Sequence, residues 1–153
     1  MDSLGLLAVT LANAPKGCKL ALLRSRIELR GAQVAVLGLA FKPETDDLRE
    51  SRSLELVRLL HAAGAIVRAC DPMASREAAK LLGSIATVTA DADSALSGAD
   101  AAVLATAWPS LVALDPAHVK SLMRRPLVLD ARRGLDRQSW SAHCEYLPIG
   151  IKA

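Results

Sequence analysis

The chain has 153 residues, a length that indicates one domain and excludes an enzyme with separate cofactor and substrate domains. Hydrophobic residues make up 52% and charged residues 23%, which excludes a disordered chain, since such a chain lacks the apolar surface to offset the entropy of ordering. The net charge of +3 is compatible with an anionic ligand. With only 3% aromatic residues, so small a surplus of positive charge argues against a nucleic-acid-binding protein.

The sequence predicts neither a membrane segment, nor a disulfide framework, nor a metal site. The uncharged run of residues 3–15 is shorter than the roughly 18 residues that a membrane helix needs. Asp2 stands where a signal peptide carries basic residues. Cys18, Cys70 and Cys144 are odd in number and form no C-x-x-C pair or His–Cys cluster. We therefore expect a reduced, cytoplasmic protein without a bound metal.

In chain order, the sequence predicts a helical lead followed by alternating strands and helices. Residues 1–30 form the lead, because Asn13 can cap a helix, Pro15 suits a first turn and leucines recur at helical spacing as far as Gly31. Residues 31–153 form the second unit. Its predicted strands cover residues 33–37, 66–70, 86–89, 101–106, 127–130 and 145–149. Its predicted helices cover residues 53–63, 74–82, 91–98, 116–123 and 137–142.

The central strands are apolar along their whole length, which predicts a parallel sheet covered by helices on both faces. The predicted fold class is therefore α/β: a Rossmann-like, doubly wound, mostly parallel sheet, preceded by the helical lead. Ligands of such sheets bind beyond the carboxyl ends of the strands. The residues that follow Leu37, Cys70, Thr106 and Asp130 are accordingly the first candidates for a site.

The loop after the first strand, residues 38–51, is the main candidate. Of the G-x-G-x-x-G pattern that seats a dinucleotide pyrophosphate, only Gly38 is present. The loop exceeds the usual strand-to-helix length of about two to six residues, and long loops at this edge are often functional. Phe41 offers a flat apolar face and Lys42 a positive charge, which together suit a nucleotide base and its phosphate. The alternative is a core phenylalanine beside an ordinary surface lysine.

The run from Val34 to Ser51, V-A-V-L-G-L-A-F-K-P-E-T-D-D-L-R-E-S, closely resembles the opening of the C-terminal domain of UDP-glucose/GDP-mannose dehydrogenases. Later segments resemble that family in the same order, namely residues 64–72, 99–108 and 128–133. The resemblance covers roughly residues 31–150, and residues 1–30 resemble the family's central helix more weakly.

This family oxidises the C6 hydroxyl of a nucleotide sugar to a carboxylate in two NAD-dependent steps. Its N-terminal domain binds NAD, a cysteine in a Cys-Phe-Pro-Lys-type segment forms a thiohemiacetal, and its C-terminal domain holds the nucleotide end of the substrate. The resemblance implies that Phe41 and Lys42 contact UDP or a UDP-sugar. It implies that Arg132 approaches the sugar end, where a guanidinium suits oxygen ligands. It also implies a homodimer through the lead, with packing of residues 1–30 onto the sheet as the alternative, and NAD bound by a missing N-terminal domain rather than by this chain.

Three positions depart from the family pattern: Arg52 replaces a usual proline, Ala107 the glutamate of Thr-Glu-Trp, and Ala131 the glycine of Asp-Gly-Arg. Ala131 is expected to restrict the backbone and so to tilt Arg132. The chain contains neither the NAD fingerprint nor the Cys-Phe-Pro segment, and its three cysteines are interpreted as structural thiols. No residue is therefore assigned a catalytic or cofactor-binding role, and the chain alone is predicted to be inactive.

Several charged residues have alternative interpretations. Asp46 and Asp47 offer oxygen ligands for a metal, but with Arg49 nearby the three are interpreted as a hydrogen-bonded brace of the loop. Asp71 stands where a dinucleotide fold places its ribose carboxylate; without the glycine loop, capping of the next turn is preferred. Trp108 is expected to pack under the loop. The pairs 124–125 and 132–133 are the densest basic spots, and their ordinary interpretation is a solvated rim.

Three functions are considered. The preferred one is the UDP-binding domain of an NAD-dependent UDP-sugar 6-dehydrogenase, part of a longer enzyme of polysaccharide biosynthesis. The alternative is a stand-alone nucleotide-binding or regulatory module that kept the pocket without the chemistry; a dimerisation element built on residues 1–30 is a third possibility. The run 45–47 fits UDP-glucose and GDP-mannose better than UDP-N-acetylmannosamine, and UDP-glucose is preferred. Nucleic acid and membrane partners are not expected.

Overall fold

The computed structural model describes residues 18–49 and 51–149. Its helices are α1 Cys18–Arg24, α2 Arg52–Ala62, α3 Ser75–Leu82, α4 Ala92–Leu96, α5 Pro109–Val112, α6 Pro116–Leu122 and α7 Arg137–Ser141. Its strands are β1 Gln33–Leu37, β2 Ile66–Cys70, β3 Ala86–Val88, β4 Ala101–Leu104, β5 Leu127–Asp130 and β6 Glu145–Pro148. Within these described ranges, no helix combines the length and the apolar character needed to cross a bilayer.

The strands form one sheet in the order β3-β2-β1-β4-β5-β6, and every neighbouring pair is parallel. This order belongs to doubly wound nucleotide-binding folds, in which the direction of winding reverses between the first and fourth strands. The predicted Rossmann-like fold is therefore confirmed, and the sheet is wholly rather than mostly parallel. The reversal opens a crevice above β1 and β4, which is where the loops of the site meet.

The strands are apolar on both sides because helices cover both faces of the sheet. Along β1, Val34 and Val36 face the layer built from α1, α2 and α3, where they pack with residues such as Leu60. Ala35 and Leu37 face the opposite layer, built from α4 to α7. Alternate side chains of β1 thus enter two separate cores.

Two elements differ from the sequence prediction. The short helix α5 was missed, because four residues give no periodicity; its start at Pro109 suits the fixed φ of proline at a first helical position. The lead helix, expected as far as residue 30, ends at Arg24. The Ser25 hydroxyl donates to the carbonyl of Leu22 at 2.6 Å, and the chain then turns so that Leu29 is buried in the core. Residues 1–17 of the predicted lead lie outside the described residues.

A carboxylate organises the amino ends of the strands. Asp100 accepts hydrogen bonds from the backbone N–H of Gln33 at 2.9 Å and from Nε of Arg124 at 2.6 Å. Burial alone would raise the pKa of Asp100, but these two hydrogen bonds and the charge of Arg124 outweigh it and hold the pKa below its ordinary value. The start of β1, the start of β4 and the turn before β5 are joined in this way.

Gly38 sets the close approach of β1 and β4 at the carboxyl edge. Its φ is 94°, in the region that favours glycine. A Cβ at this position would lie 2.5 Å from Cβ of Thr106 and 2.7 Å from its backbone nitrogen. Because the second atom belongs to the backbone, side-chain rotation cannot relieve the clash. Gly38 is therefore required by both conformation and space.

Replacing Gly38 with alanine is expected to lower the free energy of unfolding by about 2–4 kcal/mol, because strain and overpacking add. Gly31→Ala is the matched control, since Gly31 has a φ of 78° with no atom within 4 Å of the added Cβ. The control should lose only about 1 kcal/mol, the cost of the backbone conformation. Urea unfolding of both variants measures the difference, and equal losses would show that the contact with Thr106 is unimportant.

Candidate functional site

Four segments converge at the carboxyl edge of the sheet: the loop of residues 38–49 after β1, the turn of residues 71–74 after β2, residues 105–108 after β4, and residues 131–135 after β5. The strand order alone brings their first residues together, because parallel strands end at the same edge. Side chains then decide which parts of this edge remain open to a ligand.

The buried side chain of Asp71, which is 5% exposed, caps the turn that follows β2. Its Oδ1 accepts hydrogen bonds from the backbone N–H groups of Met73 and Ala74, each at 2.8 Å. The hydroxyl of Ser75 accepts from the backbone N–H of Asp71 at 2.9 Å. These contacts show the turn-capping role that sequence reasoning preferred over a ribose carboxylate.

The second oxygen of Asp71 holds the loop after β1. Oδ2 accepts hydrogen bonds from the backbone N–H of Leu39 at 2.7 Å and of Ala40 at 2.9 Å. The buried indole of Trp108 donates to the same oxygen, with Nε1 at 3.1 Å. Trp108 thus joins the loop from below, as expected. The first amides after β1, which a dinucleotide-binding fold directs at phosphate, are here used by a carboxylate of the chain itself.

Arg132 joins three strand ends. Its Nε donates to the carbonyl of Ala105 at 2.8 Å, just beyond β4. Its Nη2 donates to the carbonyl of Phe41 at 3.2 Å, in the loop after β1. The remaining N–H donors of this guanidinium make no hydrogen bond with other described residues. Two of the predicted substrate-binding residues, Phe41 and Arg132, are therefore in direct contact, and the guanidinium keeps donors for a further acceptor.

Phe41 and Lys42 both lie at the surface of the loop. The Phe41 side chain is 46% exposed, so it is not the core residue of the alternative interpretation. Its backbone N–H donates to the carbonyl of Asp47 at 2.8 Å, which closes the loop on itself. A cleft of about 660 Å³ opens beside the Phe41 side chain, against the first turns of α2. Its lining residues are Phe41, Leu48, Ser51, Arg52, Leu54, Glu55 and Arg58.

The predicted brace of the loop forms from two of its three members. Asp47 accepts from the backbone N–H of Arg49 at 2.9 Å and from Nε and Nη2 of its guanidinium at 3.1 and 3.0 Å. These hydrogen bonds lower the pKa of Asp47. The hydroxyl of Thr45 accepts from the backbone N–H of Asp47 at 3.1 Å. Asp46 is exposed, and its side chain makes no hydrogen bond with the described residues, so the structure does not include it in the brace.

Sequence reasoning missed two hydroxyls that tie the loop to its neighbours. Thr106 donates to the carbonyl of Ala40 at 2.9 Å, and Ser51 donates to the carbonyl of Leu39 at 2.6 Å. The Ser51 oxygen also accepts from the backbone N–H of Leu54 at 3.2 Å and so caps α2. A polar residue at the end of an apolar run, as Thr106 ends the run 101–106, is the signal that was available.

Asp130, at the end of β5, is also a buried polar residue of the edge and is 0% exposed. Its Oδ1 accepts from the backbone N–H groups of Arg132 and Gly134, each at 3.1 Å, and its Oδ2 from that of Leu135 at 2.9 Å. The hydroxyl of Tyr146 donates to Oδ2 at 2.7 Å. Burial and this hydrogen bond to a carboxylate both raise the pKa of Tyr146. The loop that carries Arg132 is thus wound around a buried charge.

The backbone of this loop is left-handed at one residue, Arg133, whose φ is 54°. Ala131 does not have a positive φ, and its expected effect on the orientation of Arg132 stays a prediction. Asp130 accepts hydrogen bonds from the N–H groups of both Arg132 and Gly134, which fixes the chain on either side of Arg133.

The described cysteines have the character of packed thiols. Burial first, and the neighbouring charge of Asp71 second, raise the pKa of Cys70 to about 12. Burial also raises the pKa of Cys144. Cys18 begins α1, but its side chain lies outside the described set. Within the described ranges, no group of three or more His, Cys, Asp or Glu residues is placed to hold a metal ion.

Comparison with known proteins gives consistent relatives. Residues 35–137 match the UDP binding domain of the UDP-glucose/GDP-mannose dehydrogenase family. The UDP-glucose 6-dehydrogenase AglM of Haloferax volcanii is 45% identical over 124 residues, which are 77% of this chain and 28% of that protein. The UDP-glucose 6-dehydrogenase TuaD of Bacillus subtilis is 36% identical over 104 residues, or 68% of this chain and 23% of that protein.

Solved structures agree. A UDP-glucose dehydrogenase from Pyrobaculum islandicum aligns with a TM-score of 0.64 and 34% identity, over 95% of this chain and 29% of its own. A UDP-D-ManNAc dehydrogenase from Pyrococcus horikoshii aligns with a TM-score of 0.68 and 26% identity, over 94% of this chain and 30% of its own. The chain thus spans under a third of the length of these relatives. It belongs to the UDP-glucose/GDP-mannose dehydrogenase family, as the family's UDP binding domain.

Proposed function

We propose that this chain binds the nucleotide end of a UDP-sugar at the carboxyl edge of its sheet, beside Phe41, Lys42 and Arg132. The observation that carries the proposal is the contact of Arg132 with the carbonyls of Ala105 and Phe41. This contact sets a guanidinium with spare donors next to an exposed aromatic ring. A planar base and a phosphate group need that combination of an apolar face and fixed cationic donors.

Charge supports an anionic ligand at this position. Lys42 is exposed, and its positive charge contributes to lowering the pKa of Asp47 across the loop. Arg132 forms no ion pair with a carboxylate among the described residues, since its partners are two carbonyl oxygens. The two cations therefore remain available to the phosphates of a ligand, which would displace only water from them.

The residues at the first strand do not fit the pyrophosphate of NAD. The amides of Leu39 and Ala40 already donate to Asp71, whose negative charge would repel a phosphate there. The glycine pattern that allows close approach is also absent. We therefore assign NAD to the longer enzyme, outside this chain.

Within the family, we propose UDP-glucose as the sugar nucleotide and its oxidation to UDP-glucuronate as the reaction of the complete enzyme. The support is the series of relatives described as UDP-glucose 6-dehydrogenases, which includes one from Rhizobium meliloti that is 39% identical. This chain would contribute binding and orientation, while the hydride acceptor and the covalent nucleophile would come from the rest of the enzyme.

Replacing Lys42 with alanine is expected to weaken UDP binding by about 1–3 kcal/mol, because a charge-assisted hydrogen bond is lost. Chemical-shift titration with millimolar UDP measures it, and wild-type shifts should concentrate at Phe41, Lys42 and Arg132. Lys120→Ala is the control, since Lys120 is an exposed lysine of α6 away from the loop. Unchanged shifts at the three site residues of the wild-type chain would refute the proposed pocket.

The isolated chain is expected not to reduce NAD with UDP-glucose, UDP-N-acetylmannosamine or GDP-mannose. With a pKa of about 12, Cys70 carries almost no thiolate at neutral pH, and the thiolate is the nucleophilic form. Absorbance at 340 nm follows NADH formation. Turnover that survived Cys70→Ser but disappeared with Lys42→Ala would contradict the proposal, because it would require a cofactor site elsewhere in the chain.

The full chain is expected to form a homodimer through residues 1–30. The described part of this segment is already engaged with the sheet, since Leu22, Leu23 and Leu29 are buried in the core. The leucines of residues 1–17 add apolar surface that a lone helix would leave in water. Light scattering on the full chain, and on a version without residues 1–17, measures the association. A monomer in both cases would refute dimerisation through this segment.

A further inference from the structure

The two halves of the carboxyl edge differ in the donors that they leave for a ligand. Over β1 and β2, the amides of Leu39 and Ala40 and the indole N–H of Trp108 all donate to Asp71. Over β4 and β5, the chain presents the exposed and adjacent side chains of Arg132 and Arg133. The backbone amides over β1 and β2 are therefore not available to an anion, and Lys42 is an exposed cation of the loop there, whereas two adjacent guanidinium groups lie over β4 and β5.

Arg133 is held in a conformation that its residue type disfavours. Its φ of 54° lies in the left-handed region, which residues with a Cβ adopt at a cost and which Asn, Asp and Gly adopt most readily. The neighbours impose this conformation, because Oδ1 of Asp130 accepts from the N–H of Arg132 before it and of Gly134 after it. The position would be filled more easily by a smaller residue.

No structural contact explains why an arginine stands there. The Arg133 side chain is exposed, and its guanidinium makes no hydrogen bond or ion pair with any residue that the structure describes. Its charge does reach the ligand edge, since it acts on the hydroxyl of Tyr146, which is bonded to Asp130. Strain without a compensating contact is a feature of residues kept for binding.

We propose that Arg133 is a second anion-binding residue of this edge and contacts the diphosphate of the nucleotide sugar beside Arg132. The inference rests on the proposed function and adds to it a residue and a location: the phosphates lie over β4 and β5. Arg132 alone cannot offer its full set of paired N–H donors to a phosphate, because its Nε and Nη2 already donate to the carbonyls of Ala105 and Phe41. A second guanidinium supplies the missing pair of parallel donors for phosphate oxygens.

The test compares UDP and uridine binding by the full chain and its Arg133→Asn variant, by chemical-shift titration. Asparagine tolerates the left-handed conformation, so the variant should be at least as stable as the wild type, with a midpoint of thermal unfolding higher by about 2 °C. Its dissociation constant for UDP should rise about tenfold, whereas that for uridine, which has no phosphate, should not change. Higher stability with weaker UDP binding distinguishes a ligand contact from a structural role.

Two further variants sharpen the result. Arg76→Gln removes one exposed positive charge from α3, on the β2 side of the sheet, and should leave UDP binding unchanged. Arg133→Lys keeps the charge and the strained backbone but loses the planar fork, so it should weaken UDP binding by an intermediate factor of about three.

The outcomes separate this inference from the proposed function. If the wild type binds UDP and Lys42→Ala weakens binding, but Arg133→Asn does not, Arg133 is not a phosphate ligand and only the present inference fails. Equal losses in Arg133→Asn and Arg76→Gln would indicate general electrostatic attraction and would also refute it. If the wild type does not bind UDP, the proposed function fails and this inference with it.

Discussion

The carboxyl edge of this domain depends on one buried negative charge, that of Asp71. An ionised carboxylate removed from water is stable only when donors replace its hydration, and here five N–H groups do so. The donors come from three segments, those following β1, β2 and β4. Because one side chain satisfies all three, none of them can move without leaving a polar group unpaired. The loop of the candidate site is thus anchored at its first residues, and only its tip is left at the surface.

This constraint explains how a Rossmann-like sheet can bind a nucleotide without the glycine pattern of dinucleotide-binding domains. In those domains backbone amides after the first strand receive the phosphate. Here the corresponding amides of Leu39 and Ala40 already donate hydrogen bonds to Asp71. The donors that bind a ligand must therefore be side chains. Lys42 lies at the surface of the loop. Arg132, in the loop after β5, donates across the edge to the carbonyl of Phe41. The two designs share a sheet and an edge, but this chain uses side chains as donors, Lys42 after β1 and Arg132 after β5, on both sides of the point where the winding reverses.

The fold could be predicted from the sequence because the strands are apolar on both faces, and because Gly and Asp-Pro turns mark where strands and helices end. These are local patterns, so they can be recognised without knowledge of the tertiary structure. The sequence was also sufficient to propose Phe41 and Lys42 as candidate ligand-binding residues, because the length of the loop and the family resemblance both single them out. The contact of Arg132 with the Phe41 carbonyl joins residues 91 positions apart and follows from the strand order, which no local pattern encodes. The left-handed Arg133 was equally out of reach, since hydrogen bonds to Asp130 on both sides set its conformation rather than its own type.

The two arginine pairs of the chain show how the fold gives different roles to the same dipeptide. At the amino ends of the strands, Arg124 pairs with Asp100 at 2.6 Å and Arg125 with Glu145 at 3.2 Å. At the carboxyl ends, Arg132 and Arg133 form no ion pair with any carboxylate of the described residues, because the nearby Asp130 is saturated by backbone N–H groups and Tyr146.

The first pair therefore fastens turns, whereas the second keeps its charge available. Ordinary surface arginines would have been expected at both places from composition alone. The neighbouring carboxylates distinguish the two pairs. Asp100 and Glu145 accept from Arg124 and Arg125, whereas Asp130 is already occupied by backbone N–H groups and the Tyr146 hydroxyl.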